Sequence, residues 1–136
     1  MWAHFPHEAD IGIEGRGERM ERAFEEAAVA MTAVITDPDT VACRETVSVD
    51  CEAPDRELLL VDWLNALIYE MATRHMLFRR FKVEFDGPRL HATACGEHID
   101  RARHQPATEV KGATYTALAV FESPQGVWHA RCVVDV

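Results

Sequence analysis

The sequence predicts an α+β fold: two main helices packed with a mostly antiparallel or mixed sheet of about six strands. Three observations lead there. Apolar residues recur with helical spacing in two stretches, 18–36 and 56–73. They alternate with polar residues, at the period of a strand, in about six others. The predicted elements run strand, helix, strand, helix and then four strands.

The first strand covers residues 10–15, Asp10-Ile11-Gly12-Ile13-Glu14-Gly15, with Ile11 and Ile13 on one face and Asp10, Gly12 and Glu14 on the other. Gly15 and Gly17 turn the chain. Over 18–36, Met20, Ala23, Phe24, Ala27, Ala28, Met31, Val34 and Ile35 form one apolar stripe. Glu18, Glu21, Glu25 and Glu26 lie opposite it, and acids this early suit the helix dipole. Asp37-Pro38-Asp39 ends the helix, because the residue before a proline avoids the helical region.

Val47, Val49 and Cys51 alternate with polar residues and predict a half-buried strand. Asp55 then supplies an N-cap for the second helix, 56–73. Leu60, Trp63, Leu64, Leu67, Ile68 and Met71 make its apolar face, and Leu58, Leu59, Val61 and Ala66 extend it nearly all round. This helix is expected at the centre of the core, with Asp62 hydrogen-bonded to a loop or near Asn65. Phe81 to Phe85, the turn Asp86-Gly87-Pro88, and Leu90 to Cys95 predict a hairpin. Residues 96–106 are polar and read as an exposed loop, so His98, Asp100 and His104 are read as solvated rather than as metal ligands. Tyr115 to Phe121 predicts a strand, Ser123-Pro124-Gln125-Gly126 a turn, and Val127 to Asp135 a last strand, apolar on both faces and hence central.

Composition bounds the function. The 136 residues read as one domain, 1–136, long enough for a real core. No apolar run approaches the roughly 20 residues of a membrane helix, and the N-terminus lacks the basic and apolar regions of a signal peptide. The expected location is cytoplasmic. Fourteen Lys+Arg against 23 Asp+Glu give a net charge of −9. That argues against direct nucleic-acid binding, which needs a basic face, and favours a basic protein partner. The four cysteines form no C-x-x-C pair and are read as buried free thiols.

There is no nucleophile elbow, P-loop or dinucleotide motif. Lys111-Gly112 before a strand would suit a phosphate or a carboxylate, but the pattern is common. The acids at the two ends of the chain say more. Asp10 starts the first strand and Asp135 ends the last. If those strands are antiparallel neighbours, both carboxylates converge, with Val136 adding a main-chain oxygen. An all-oxygen donor set suits Mg²⁺, Ca²⁺ or Mn²⁺ rather than Zn²⁺. Two solvated acids at strand ends is the competing reading of the same residues.

Seven motifs, in order along essentially the whole chain, resemble the archease family. They are His7-x-Ala9-Asp10-Ile11-Gly12; Ala23-Phe24-Glu25; Leu59-Leu60-Val61-Asp62-Trp63-Leu64-Asn65 with Tyr69; Gly96-Glu97; His104; Glu109-Val110-Lys111-x-Ala113-Thr114-Tyr115; and Trp128-x-Ala130-Arg131-x-Val133-x-Asp135. Glu8 stands where the family usually has Thr, and Gly112 where Ala is commoner. The resemblance implies a protein that is not itself an enzyme. It would activate the GTP/Mn-dependent 3′-phosphate RNA ligase of tRNA splicing and RNA repair, promoting guanylylation of that ligase and its multiple turnover. It also implies a divalent cation, calcium in the family and Mg or Mn as candidates in the cell. Asp10, Asp135 and Val136 are the implied metal residues, with His7, Glu8 and Lys111 as residues that orient the site or meet the partner. A chaperone role toward an RNA methyltransferase is a second family suggestion. A small metal-dependent hydrolase using the same acids is the alternative from another class, with only His7 or Glu8 as a base.

Overall fold

The computed structural model describes residues 1–136. The chain opens with a hairpin. Strand β1 (Trp2–His7) turns at Glu8-Ala9 into β2 (Asp10–Gly17). Helix α1 (Met20–Ile35) follows, and then a single 3₁₀ turn, Pro38–Thr40, in which the Asp37 side chain accepts the Asp39 N–H at 3.0 Å. Strand β3 (Glu45–Glu52) leads to α2 (Arg56–Arg74). Asp55 caps α2 by accepting the Leu58 N–H at 2.8 Å, and His75 ends it in the left-handed conformation. The long hairpin β4 (Met76–Asp86) and β5 (Arg89–His98) turns at Gly87, whose φ of +57° suits a residue without Cβ. One helical turn, α3 (Arg101–His104), then precedes β6 (Gly112–Ala113), β7 (Ala119–Glu122) and β8 (Trp128–Asp135).

The strands form two antiparallel sheets. One has five strands in the order β1-β2-β8-β6, with β7 also paired to β8. The other is β3-β5-β4. The fold is therefore α+β, as expected, with eight strands in two sheets rather than about six in one. Strand β8 is central, as its two apolar faces required. Strand β1 carries no apolar alternation and escaped the sequence reading. It lies at a sheet edge, where Pro6 removes no ladder hydrogen bond that is needed.

Helix α1, not α2, occupies the centre. It packs on β2 and β8 of one sheet and β4 of the other. Ala23, Ala27, Ala28 and Ala30 are fully buried, and their small side chains let the helix axis sink between the sheets. Gly15 completes the approach. A Cβ there would run into the α1 backbone at Ala23 and Ala27. Helix α2 covers the other side, and its Trp63 donates Nε1–H to the Phe24 carbonyl at 3.1 Å inside the core. Asp62, Asn65 and Tyr69 face solvent, so α2 is less covered than its composition suggested. The carboxylate of Asp62 is exposed. It is Asn65 that is tied, to Ala113 of β6.

Three further expectations are corrected. Residues 115–117 form no strand, because Ala117 takes φ +54° and breaks the extension; only Ala119–Glu122 pairs. Residues 96–106 are not a solvated loop throughout. Glu97 and His104 are both 3% exposed and hydrogen-bonded to each other. Cys43 and Cys95 are not free thiols. Their Cα atoms lie 5.1 Å apart and the sulfurs are bonded. The pairing spans 52 positions, so no local spacing announces it. A closure of that length restricts the unfolded chain by about 4 kcal/mol in the chain-entropy treatment. Cys51 and Cys132 remain thiols.

Candidate metal centre

Register settles where the terminal acids sit. His7 is opposite Asp10 across the first hairpin, and Ile11 is opposite Val134 across β2 and β8. One further step along that ladder sets Asp10 beside Asp135, and Asp135 in turn is opposite Gly112 of β6. The row His7, Asp10, Asp135, Gly112 thus crosses four strands at one end of the sheet. Paired residues point to the same face. Gly15 faces α1, so the even-numbered positions of β2 face away from it. The row therefore lies on the outer face of the sheet. Gly12, one row in, belongs to the same face, and the Phe5 ring fills the space its Cβ would take.

Adjacent strands stand about 4.8 Å apart, so the backbones of the two acids are close neighbours with their side chains on one face. The Val136 N–H points at Asp10 Oδ1, 3.5 Å away, which brings the end of the chain over the start of β2. The Lys111 N–H donates to the Asp135 carbonyl at 2.7 Å. The structure therefore brings Asp10, Asp135 and Val136 together, with the Lys111 backbone alongside. Glu8 sits in the turn next to them, exposed, with φ +53°. Its carboxylate adds negative potential to this end of the sheet. His7 is half-buried in the same row.

No Lys, Arg or His nitrogen comes within 4.0 Å of the Asp10 or Asp135 carboxylate. Every salt bridge in the molecule involves other acids. Two neighbouring carboxylates without a counter-charge repel one another, and a cation placed between them would relieve that. No three His, Cys, Asp or Glu side chains cluster in a way that would cage an ion unaided. The donors available here are instead the two carboxylates, with the outer face open to water. That set fits a hard cation which keeps part of its hydration, as Mg²⁺ and Ca²⁺ do, and does not fit Zn²⁺.

Two supports hold this end of the sheet in place. Asn65 of α2 accepts the Ala113 N–H at 2.9 Å and donates to the Ala113 carbonyl at 3.4 Å, fastening β6 to the helix. Thr114 donates its hydroxyl to the Val133 carbonyl at 2.8 Å. Asn65 and Thr114 belong to sequence motifs already singled out, but nothing in their spacing assigns them this work.

A second polar cluster lies elsewhere and was missed. Glu97 accepts the Ala42 N–H at 2.7 Å, contacts His104 Nε2 at 2.9 Å, and pairs with Arg44 and Arg103. Burial alone would raise its pKa, but the Ala42 N–H, His104 and Arg103 together outweigh it and hold the carboxyl at about 2. The pair Gly96-Glu97 at the end of a strand was the available signal. An apolar cavity of about 530 Å³, bounded by Ile35, Ile68, Met71, Leu77, Ile99 and Val110, is separate from the acid row.

Comparison with known proteins agrees with this architecture. Residues 2–136 match the model of the Archease protein family (MTH1598/TM1083). The chain is similar to the protein archease of Pyrococcus abyssi, 37% identical over 99% of this chain and 98% of the relative. It is also similar to that of Methanothermobacter thermautotrophicus, 36% identical over 94% of this chain and 93% of the relative. The solution structure of Methanobacterium thermoautotrophicum protein 1598 superposes with a TM-score of 0.86 at 34% identity, covering 99% of this chain and 98% of that one. A Thermotoga maritima archease, described as a possible chaperone, shares the fold with a TM-score of 0.63 at 21% identity, covering 97% of this chain and 94% of that one. With a family match over nearly its full length and relatives above one-third identity, the chain belongs to the archease family.

Proposed function

We propose that this protein is an accessory factor of the GTP/Mn-dependent 3′-phosphate RNA ligase, and that it holds a divalent cation with Asp10, Asp135 and Val136. The observation that carries the reading is the terminal row of the outer sheet face. It sets two uncompensated carboxylates side by side, with the Val136 N–H directed at one of them. The partner class is what the sequence resemblance implies.

When bound, the cation supplies positive charge and open coordination positions at the edge of an acidic protein. The chain's own residues do the rest. Asp10 and Asp135 hold that charge at a fixed register. Asn65 and the Lys111 backbone keep β6 and the strand end from fraying. The Lys111 side chain and His7 stand at the rim, where a partner would meet them. A net charge of −9 favours approach to a basic surface around the partner's nucleotide or RNA cleft. The work is protein on protein, with no direct grip on nucleic acid. A chaperone role toward an RNA methyltransferase is the alternative that the sequence resemblance implies.

The test adds native protein, Asp10→Ala or Asp135→Ala to the ligase with GTP and Mn²⁺ and follows guanylylation and turnover. Native protein is expected to raise both, and each variant to lose most of that effect, on the order of tenfold or more. A native protein that leaves the ligase unchanged would overturn the proposal. Hydrolysis of a phosphoester by the protein alone would favour a metal-dependent hydrolase instead.

A further inference from the structure

We propose that Cys43 and Cys95 form a reversible redox site, a disulfide latch that low-molecular-weight or protein dithiols open and disulfide oxidants close, and that its state governs the order of the Glu97 clasp. Three structural features carry this.

The first is position. Cys43 is exposed, in the short connection between the 3₁₀ turn and β3, whereas Cys95 is half-buried on β5. A thiolate can reach the Cys43 sulfur without unfolding a strand. The second is that the bond is not the only tie at this place. The Ala42 N–H still donates to Glu97, and the Arg44 N–H to the Gly96 carbonyl at 2.9 Å. The reduced chain therefore keeps backbone ties at this place, and opening the bond is expected to loosen it locally before the rest of the fold. The third is what the latch touches. Cys43 lies between Ala42 and Arg44, both partners of Glu97, and Cys95 lies two residues before Glu97. Through Glu97 the bond reaches His104 and Arg103, and through them the segment that leads on to Lys111.

The remaining cysteines stay out of this chemistry. Burial, with the Asp62 and Asp50 carboxylates nearby, pushes the Cys51 thiol up to about 11. Burial pushes Cys132 up to about 12, despite a hydrogen bond at Thr114. Neither offers a thiolate at neutral pH, so the disulfide does not reshuffle onto them.

A reductant thiolate attacks Cys43 Sγ, the Cys43–Cys95 bond breaks, and Cys95 leaves as a thiolate that takes up a proton. A second reductant thiolate then attacks the reductant's own sulfur in the mixed disulfide, and Cys43 leaves as a thiolate that takes up a proton. The two reductant sulfurs end joined. Closure is the reverse, with a small disulfide reduced to two thiols.

The experiment equilibrates the full chain with oxidised or reduced glutathione, counts alkylated cysteines after denaturation, and measures amide hydrogen exchange in each state. Two of the four cysteines are expected to label in the oxidised protein and all four in the reduced protein. Reduction should leave circular dichroism unchanged while exchange at 41–46 and 97–105 accelerates about tenfold. Cys43→Ser, and separately Cys95→Ser, should reproduce the reduced pattern without added reductant. Four labels after oxidation would overturn the proposal. So would resistance to glutathione in the native state, loss of the whole fold on reduction, or identical exchange in both states.

Discussion

At the scale of single residues, Glu97 and Glu8 separate two kinds of carboxylate. Glu97 is buried and fully partnered, and its pKa lies at about 2. A lowered carboxylate pKa contributes stability above the ordinary value near 4.3, and that contribution disappears as pH falls toward 2. Glu97→Gln should therefore melt lower at pH 7, by about 2–3 kcal/mol from its lost charged hydrogen bonds. The gap to the native protein should close on acidification, as a pH series of thermal melts would show. A gap that does not change with pH would mean that the charge on Glu97 is not what stabilises the clasp. Glu8 is the opposite case. It is exposed, and its φ of +53° is unfavourable for any side chain with a Cβ. Glu8→Gly should stabilise the protein by up to about 1 kcal/mol, with glycine's extra unfolded-state entropy setting that ceiling. Chemical denaturation measures this directly. The value of Glu8 to the protein is then its charge beside Asp10, not its fit to the turn.

At the scale of elements, what the sequence made legible depended on whether a local rule decided the outcome. Helix α2 began where Asp55 could cap it, and the β4–β5 hairpin turned at Asp86-Gly87-Pro88, because capping and turn chemistry act within a few residues. The hidden parts were decided by long-range partners. Trp2–His7 is a strand because β2 pairs with it, not because its own residues alternate. His104 is buried because Thr36 Oγ1 donates to its carbonyl and Glu97 meets its ring. Cys43 finds Cys95 only once β3 and β5 are paired. The acid pair stood between these extremes. Each acid was visible, but their meeting needed β2 to lie next to β8. Two substitutions test the element packing. Gly15→Ala drives a methyl into the α1 backbone and should destabilise by about 1–3 kcal/mol. Asn65→Ala removes both ties to Ala113 and should cost about 1–2 kcal/mol, with exchange rising first at 111–116. Equal exchange there would mean that β6 is held by β8 alone.

At the scale of the whole molecule, the terminal strands β2 and β8 are centre-sheet neighbours, so the acid row is tied to the integrity of the fold. A cation bridging Asp10 and Asp135 would link the first long strand to the last. It would then stabilise the native state alone, by about 2.7 kcal/mol at a hundredfold excess over its dissociation constant. The most direct test is calorimetric titration of Ca²⁺ and Mn²⁺ into chelator-treated native protein and into Asp10→Asn and Asp135→Asn. The expected result is one saturable site in the native protein, accompanied by a higher melting temperature, and loss of both in each folded variant. Equal binding by native protein and variants, or no binding by either, would contradict the placement of the cation at this end of the sheet.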